Sequence, residues 1–229
     1  MAETCLLYYV TDRTGFPGDE PTRRRRLLEK IEEAAHAGVD YIQLREKDLP
    51  IRDLESLARE AVGVIARLRN EKRELKTSLL INSRTDVALA VGADGVHLRS
   101  GDVSPEEVRK VWRRQHECGA GVPTRETSSR NPVIAVSCHS LAEVEQAAAQ
   151  EASFAVFAPV FEKKDAPDNS PAGLGKLHEA CQSNISVLAL GGITAANAPS
   201  CLKAGAAGIA AIRLFQDNDI AEVVRQLRG

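Results

Sequence analysis

Short apolar runs rich in β-branched residues recur along the chain, and amphipathic stretches separate most of them. The runs are predicted strands at residues 5–11, 39–44, 78–81, 95–98, 133–136, 154–160, 187–190 and 208–212. Between them, apolar residues recur three and four positions apart, as at Leu54, Leu57 and Ala61. This spacing is typical of one face of a helix. The chain therefore alternates strand and helix.

The predicted strands are apolar at nearly every position instead of every second one. Such strands belong to a sheet covered on both faces, whose parallel strands are joined by helical crossovers. A doubly wound open sheet is the alternative, but the GxGxxG dinucleotide fingerprint is missing, since residues 9–15 read YVTDRTG. Eight repeats favour a single (β/α)8 TIM barrel domain over residues 1–229, with no linker dividing the chain.

Charge and composition narrow the classes of partner. The 30 Lys and Arg residues nearly balance the 32 Asp and Glu residues, giving a net charge of −2, which provides no broad attraction for nucleic acid or an anionic membrane. The apolar runs are shorter than the roughly 18 to 20 residues of a membrane span, and the N-terminal residues lack signal-peptide features. Five dispersed cysteines suggest neither disulfides nor zinc. We expect a cytoplasmic protein with no membrane or nucleic-acid partner.

Polar side chains follow the second predicted strand. Strand periodicity puts Gln43, Arg45 and Lys47 on one face, where an amide and two cations suit a multiply charged anion. The alternative is that Arg45 and Lys47 pair with nearby carboxylates such as Glu46 and Asp48. The residues alone leave both interpretations open.

Two further strand ends carry candidate chemistry. Gly191 and Gly192 precede Thr194, which is placed to cap a helix starting near Ala195, and backbone amides at a helix start can bind phosphate. An ordinary turn is the alternative. His139 follows the fifth strand as a candidate general acid or base, or as a hydrogen-bonded structural residue. His97, inside the fourth strand, is expected to be a satisfied core or rim residue.

Several motifs together closely resemble one known family. They are YVTDR at 9–13, GVDYIQLREKD at 38–48, LLINSRTDVALAVGADGVHL at 79–98, VSCHSLAEV at 136–144, FAPVF at 157–161 with KKDAP at 163–167, and LALGGITAANA at 188–198. These phrases resemble, in register over nearly the whole chain, the thiamine phosphate synthase and thiazole tautomerase family. The resemblance implies a (β/α)8 barrel that acts in thiamine biosynthesis.

The synthase branch of that family joins hydroxymethylpyrimidine diphosphate to a thiazole phosphate and releases pyrophosphate with Mg²⁺ present. The resemblance assigns diphosphate binding to Gln43, Arg45, Lys47 and Asn82. It assigns the metal to Asp102, the thiazole phosphate to Gly192, and the synthase loop lysine to Lys163 or Lys164. Of these two lysines, Lys164 is the candidate catalytic group and Lys163 a candidate substrate contact.

Three positions depart from the synthase pattern. Ser83 stands where synthases usually have an Asp that ligates the metal, and a hydroxyl is a poorer ligand for a hard cation. Glu162 leads directly into Lys163, without the Thr-rich segment of the synthases. Arg213 occupies the place of a Ser that helps to bind phosphate, where its charge either replaces that contact or blocks the site.

These departures favour the tautomerase branch, which moves a proton on a thiazole carboxylate phosphate without any metal and uses a His that matches His139. Lys47 and Asp102 favour the synthase, and the number of retained groups favours it overall. A third hypothesis is a non-catalytic phosphate-binding barrel. We therefore expect small phosphorylated pyrimidine and thiazole substrates, Mg²⁺ for a synthase or no cofactor for a tautomerase, and a sequence compatible with a homo-oligomer.

Overall fold

The apolar runs form strands, and each strand pairs in parallel with the next one in the chain. The computed structural model describes residues 5–117, 131–162 and 170–229. The strands are β1 (Leu6–Val10), β2 (Tyr41–Leu44), β3 (Ser78–Asn82), β4 (Gly95–Leu98), β5 (Val133–Cys138), β6 (Phe154–Phe157), β7 (Val187–Ala189) and β8 (Gly208–Ala211). Because β8 also pairs with β1, the sheet closes, and the predicted (β/α)8 TIM barrel is confirmed.

Helices follow the strands and cover the outside of the barrel. They are α1 (Glu20–His36), α2 (Ile51–Glu71), α3 (Thr85–Val91), α4 (Pro105–Glu117), α5 (Leu141–Ala149), α6 (Gly173–Ala180), α7 (Ala198–Lys203), α8 (Arg213–Gln216) and α9 (Ile220–Arg228). In α2 the apolar residues Leu54, Leu57 and Ala61 are buried, as their helical spacing predicted. None of the described helices is both long and apolar enough to span a membrane.

Two apolar cores explain why the strands are apolar at nearly every position. Tyr8 points into the barrel, while Leu7 and Tyr9 on either side of it point outward to the helices. The inner core consists of Tyr8, Leu80, Ala135, Phe154, Val156, Leu188 and Ala210. Both faces of the sheet are thus removed from water, which stabilises the fold in proportion to the apolar area buried.

Two glycines show why the chain turns tightly between α3 and β4. Gly92 ends α3 with φ 69°, a left-handed conformation that costs glycine little. Gly95 begins β4, and a Cβ there would lie 1.8 Å from the carbonyl oxygen of Val133. A larger residue at position 95 would therefore force β4 and β5 apart.

The start of α7 differs from the prediction. The helix begins at Ala198, three residues later than expected. The intervening residues form a turn in which the Thr194 N–H donates to Asn197 Oδ1 (2.8 Å) and the Asn197 N–H donates to Thr194 Oγ1 (3.3 Å). Reciprocal hydrogen bonds of this kind form a capping box, so Thr194 caps this turn, although the regular helix begins only at Ala198.

Candidate active site

A pocket of about 700 Å³ opens at the carboxyl ends of the strands, the end at which barrel enzymes bind their substrates. This volume suits a small organic ligand. All eight strands or the loops after them contribute lining residues. The polar ones include Asp12, Gln43, Arg45, Lys47, Asn82, His97, Arg99, Ser137, His139, Glu162, Thr194 and Arg213.

Cations outnumber carboxylates among the charged side chains that line the described part of this pocket. The set is Arg45, Lys47, Arg99 and Arg213 against Asp12 and Glu162. The chain as a whole carries a net charge of −2, so this excess of positive charge is local. A concave site with such an excess attracts small anions.

The cluster of Gln43, Arg45 and Lys47, which we call the β2 cluster, lines the pocket as its alternation predicted. Leu44, between them, is buried in the outer core. Gln43 is 2% exposed, and its Nε2 has no hydrogen-bond partner of good geometry among the described residues. A buried donor without a partner is costly, and a ligand acceptor would relieve that cost.

Thr11 and Glu46 hold the β2 cluster in place from beneath. The Thr11 hydroxyl donates to Glu46 Oε1 (2.5 Å) and accepts from the Arg45 N–H (3.0 Å). Glu46 is buried, and burial raises the pKa of its carboxyl, although hydrogen bonds from Thr11 and Arg13 act in the opposite direction. The backbone of Arg45 is therefore tied to a buried acidic group.

Arg13 binds the carboxylates that the sequence offered as partners for Arg45 and Lys47. Its backbone N–H donates to Glu46 Oε2 (3.0 Å), and its guanidinium donates to both oxygens of Asp48 (2.7 and 2.8 Å). These hydrogen bonds raise the pKa of Arg13 and lower that of Asp48. Glu46 and Asp48 thus pair with Arg13, and the β2 cluster lines the pocket.

His97 lies in the wall of the barrel directly below the pocket. It is buried, and burial, with a smaller contribution from Arg45, lowers the pKa of His97 to about 3. Nδ1 lies 3.0 Å from the Tyr8 hydroxyl and Nε2 lies 2.7 Å from Ser137 Oγ. His97 is therefore satisfied, as predicted, but it also lines the pocket.

His139 lies at the pocket as predicted, and its ring orientation is defined. Nδ1 is 2.6 Å from the carbonyl oxygen of Ala158. A carbonyl only accepts hydrogen bonds, so Nδ1 carries the proton and Nε2 of the neutral ring is the basic nitrogen. Its neighbour Cys138 is buried, and burial raises the pKa of that thiol to about 12.

Asp102, the predicted metal ligand, is not among the residues that line the pocket, but it lies in a turn with Arg99, which does line it. Its carboxylate accepts from the Arg99 N–H (2.8 Å) and guanidinium (3.1 Å). Burial would raise the pKa of Asp102, but these bonds and the nearby Ser83 hydroxyl lower it. No group of three His, Cys, Asp or Glu side chains suited to a metal occurs within residues 5–117, 131–162 and 170–229.

The loops after β7 and β8 form another part of the pocket wall. Gly192 lines it with φ 64°, and a Cβ there would lie 2.5 Å from the carbonyl oxygen of Glu162. Arg213, the first residue of α8, lines the same side. Asn82 lies nearer the β2 cluster, at the end of β3. Lys163 and Lys164 lie outside the described residues.

No functional role was assigned to Tyr8 or Ser137 from the sequence. Ser137 is an inward-facing residue near the end of β5, paired in register with Val156 of the inner core. The available signal was the strand period, since a polar residue at an inward position near a strand end faces the shared pocket. That rule would have selected His97 and Ser137 together.

Comparison with known families agrees with the geometry. The sequence model described as thiamine monophosphate synthase matches residues 7–215. The chain is 37% identical over 210 residues to a putative thiamine-phosphate synthase 2 of Aquifex aeolicus, covering 91% of this chain and 96% of that protein. It is 35% identical over 225 residues to a thiamine-phosphate synthase of Methanoculleus marisnigri, covering 97% and 93%.

A solved structure shows the same arrangement. The thiamine phosphate pyrophosphorylase of Pyrococcus furiosus superposes with a TM-score of 0.73 at 28% identity. The match covers 99% of this chain and 95% of that one. The similarity therefore extends over the whole barrel.

Proposed function

Because the chain belongs to the thiamine monophosphate synthase family, we propose that it is a transferase that couples hydroxymethylpyrimidine diphosphate to a thiazole phosphate. The products are thiamine phosphate and pyrophosphate. The observation that carries this proposal is the β2 cluster, an amide and two cations that line one wall of a cationic pocket.

The β2 cluster suits the departing diphosphate. When the bond between the pyrimidine methylene carbon and the diphosphate oxygen breaks, negative charge accumulates on that oxygen. Arg45 and Lys47 stabilise this charge more in the transition state than in the ground state, which is the condition for catalysis. Gln43 Nε2 and Asn82 supply further donors, and losing one such donor typically costs 10²–10³-fold in kcat.

The part of the pocket wall formed by the loops after β7 and β8 suits the second substrate. Gly192 allows backbone to approach a ligand closely, and Arg213 adds a cation where the family resemblance leads us to expect a Ser. Guanidinium groups bind phosphate oxygens in a forked geometry. Arg213 therefore replaces a hydroxyl contact by a charged one, and the thiazole phosphate lies between it and the pyrimidine.

The family chemistry implies Mg²⁺, and the residues present fit a metal that arrives with the diphosphate. Asp102 supplies one carboxylate, and the buried Ser83 hydroxyl beside it makes no hydrogen bond of good geometry within the described residues. Mg²⁺ commonly takes one or two carboxylates and completes its shell with phosphates and water. Asp102 and Ser83 would hold the ion, which when bound would neutralise charge on the diphosphate.

A second candidate function is a metal-free thiazole tautomerase, which the geometry of His139 favours. Because its Nδ1 proton is held by the Ala158 carbonyl, Nε2 is the nitrogen that can take a proton from a ligand and return it. This function predicts that His139→Ala abolishes proton exchange on a thiazole carboxylate phosphate. Unchanged exchange in that variant would exclude it.

Calorimetric titration with hydroxymethylpyrimidine diphosphate, with and without Mg²⁺, tests the synthase proposal. We expect Mg²⁺ to tighten binding at least tenfold and Arg45→Ala to weaken it at least tenfold. Arg225→Ala, which removes an exposed arginine paired with Glu222 on α9, is the matched control and should bind like the wild type. An affinity for the pyrimidine diphosphate that changes neither with Mg²⁺ nor with Arg45→Ala would contradict the proposal.

A further inference from the structure

A line of hydrogen bonds crosses the inside of the barrel below the pocket. It joins the Tyr8 hydroxyl on β1, the imidazole of His97 on β4 and the Ser137 hydroxyl on β5, with distances of 3.0 and 2.7 Å. Tyr8 is fully buried and its ring packs against His97 and Phe154, with ring centroids 5.8 and 5.5 Å apart. Only Ser137 and His97 of the three line the pocket.

His97 in this line is buried, and in the described part of the chain its two ring nitrogens meet the Tyr8 and Ser137 hydroxyls and no carboxylate that would stabilise a charged ring. The ring is therefore a neutral imidazole. A neutral imidazole has one nitrogen that donates and one that accepts. Its two neighbours must therefore play opposite roles, and whichever group fixes one nitrogen determines what the other offers. The tautomer of His97 thus determines whether the Ser137 hydroxyl donates a hydrogen bond to a ligand in the pocket or accepts one.

The burial of Tyr8 indicates the direction of the line. Within the described residues the fully buried Tyr8 hydroxyl has one hydrogen-bond partner of good geometry, His97 Nδ1, and a phenol hydrogen left without an acceptor in the interior is costly. The Tyr8 hydroxyl therefore donates to His97 Nδ1. Nε2 then carries the ring proton and donates it to Ser137 Oγ.

We propose that Tyr8 is a positioning residue that holds His97 as the Nε2–H tautomer and thereby makes the Ser137 hydroxyl a hydrogen-bond donor to the substrate. Ser137 Oγ accepts from His97, so its own hydrogen is directed to an acceptor atom in the pocket. That acceptor is a phosphate oxygen or a ring nitrogen. The opposite tautomer would reverse every bond and turn Ser137 into an acceptor.

Nitrogen NMR of the full chain labelled with ¹⁵N-histidine reads the tautomer directly, and a His97→Gln sample assigns the signal. At pH 7 we expect Nδ1 at the shift of an unprotonated nitrogen and Nε2 at that of a protonated one. A wild-type spectrum showing the Nδ1–H tautomer or a charged ring would overturn the inference. This readout is independent of the proposed function.

Tyr8→Phe keeps the ring and removes only the hydroxyl. We expect the His97 shifts in this variant to move toward an exchange average of the two tautomers. The matched control is Tyr9→Phe, which removes an equally buried hydroxyl from the outer face of the same strand, where it donates to Gln216 Oε1 (3.0 Å). Identical His97 shifts in wild type and Tyr8→Phe would overturn the inference.

A double-mutant cycle provides the kinetic readout, which rests on the proposed function. Losing one hydrogen bond to the substrate costs about tenfold in kcat/KM. We expect Tyr8→Phe and Ser137→Ala each to lose about tenfold, and the double variant to lose no more than Ser137→Ala alone, because Tyr8 acts through Ser137. Losses that multiply to about a hundredfold would contradict this coupling.

The donor role also distinguishes the two kinds of acceptor. Titrating wild type and Ser137→Ala with inorganic pyrophosphate and with hydroxymethylpyrimidine separates them, because pyrophosphate has no ring nitrogen and hydroxymethylpyrimidine has no phosphate oxygen. Weaker binding of pyrophosphate alone assigns the phosphate oxygen, and weaker binding of the pyrimidine alone assigns the ring nitrogen. Unchanged affinity for both probes would overturn the donor role.

Discussion

Replacing Thr11 by Val removes two hydrogen bonds beneath the β2 cluster while nearly keeping the shape of the side chain. The hydroxyl donates to the buried Glu46 carboxylate (2.5 Å) and accepts from the Arg45 N–H (3.0 Å). A hydrogen bond to a charged group contributes about 1.5–3 kcal/mol and a neutral one about 1 kcal/mol. The variant should therefore lose about 3 kcal/mol in free energy of unfolding.

Thr77→Val is the matched control. Thr77 is equally buried, but its hydroxyl donates to the neutral carbonyl of Val39 (2.7 Å), so its loss should cost about 1 kcal/mol. At about 3 °C per kcal/mol for a chain of this size, thermal unfolding followed by circular dichroism should show losses of about 9 °C for Thr11→Val and about 3 °C for Thr77→Val. Equal losses would refute the reasoning.

The same pair of variants connects this hydrogen-bond network to the pocket. Thr11 fixes the backbone of Arg45, whereas Thr77 precedes β3 at the opposite end of the barrel. Titration with inorganic pyrophosphate should show severalfold weaker binding for Thr11→Val and wild-type binding for Thr77→Val. Unchanged affinity in Thr11→Val would mean that Arg45 does not need this support.

Three further changes test other parts of the site. His97 has a pKa of about 3 in the fold and about 6.5 in the unfolded chain, so as the pH falls from 6.5 to 3 the unfolded state binds a proton that the folded state does not. The free energy of unfolding therefore falls by about 1.4 kcal/mol per pH unit. His97→Gln should reduce that slope in urea unfolding between pH 6 and pH 4, and an equal slope in the variant would contradict the prediction. Ser83→Asp adds a carboxylate beside Asp102, at a position with φ 57° that Asp tolerates. The variant should lower the Mg²⁺ concentration needed for half-maximal rate about tenfold, and an unchanged Mg²⁺ concentration would argue against a metal at this place. Arg213→Ala should raise KM for the thiazole phosphate about tenfold and leave KM for the pyrimidine diphosphate unchanged; equal changes in both would contradict its assignment.

The barrel could be predicted because closing the sheet buries both faces of every strand. Tyr8 packs inside the barrel while Leu7 and Tyr9 pack outside it. The run is therefore apolar throughout, so the sequence shows the approximate length of the strand but not which residues point inward. The ends of the strands were harder to predict because apolar residues continue beyond the paired ones. β6 ends at Phe157, although the apolar run continues to Val160. The run is longer than the strand because Val160, which lies beyond the last paired residue, packs in the outer core.

The β2 cluster could also be predicted, since strand alternation is local. Its support could not, because Thr11 and Arg13 each lie more than thirty residues from Glu46 in the chain and only strand pairing brings them together. From the sequence, pairing of Arg45 with Glu46 was as consistent with the residues as an anion site was. Arg13 decides the matter because it reaches both Glu46 and Asp48.

The line of Tyr8, His97 and Ser137 depends on closure of the barrel. Its members come from β1, β4 and β5, which are not all neighbours in the sheet, and they meet only because the inner space is narrow. In the sequence, Tyr8 is one of two adjacent tyrosines, and nothing local says which one points inward. The register with Tyr41 and Ala210 settles this.

Product formation by the purified protein tests the central claim most directly. The protein is incubated with hydroxymethylpyrimidine diphosphate, thiazole phosphate and Mg²⁺, and thiamine phosphate and pyrophosphate are quantified over time. We expect both products in equal amounts, at a rate that falls at least a hundredfold in Arg45→Ala. No thiamine phosphate above background from a folded sample would contradict it.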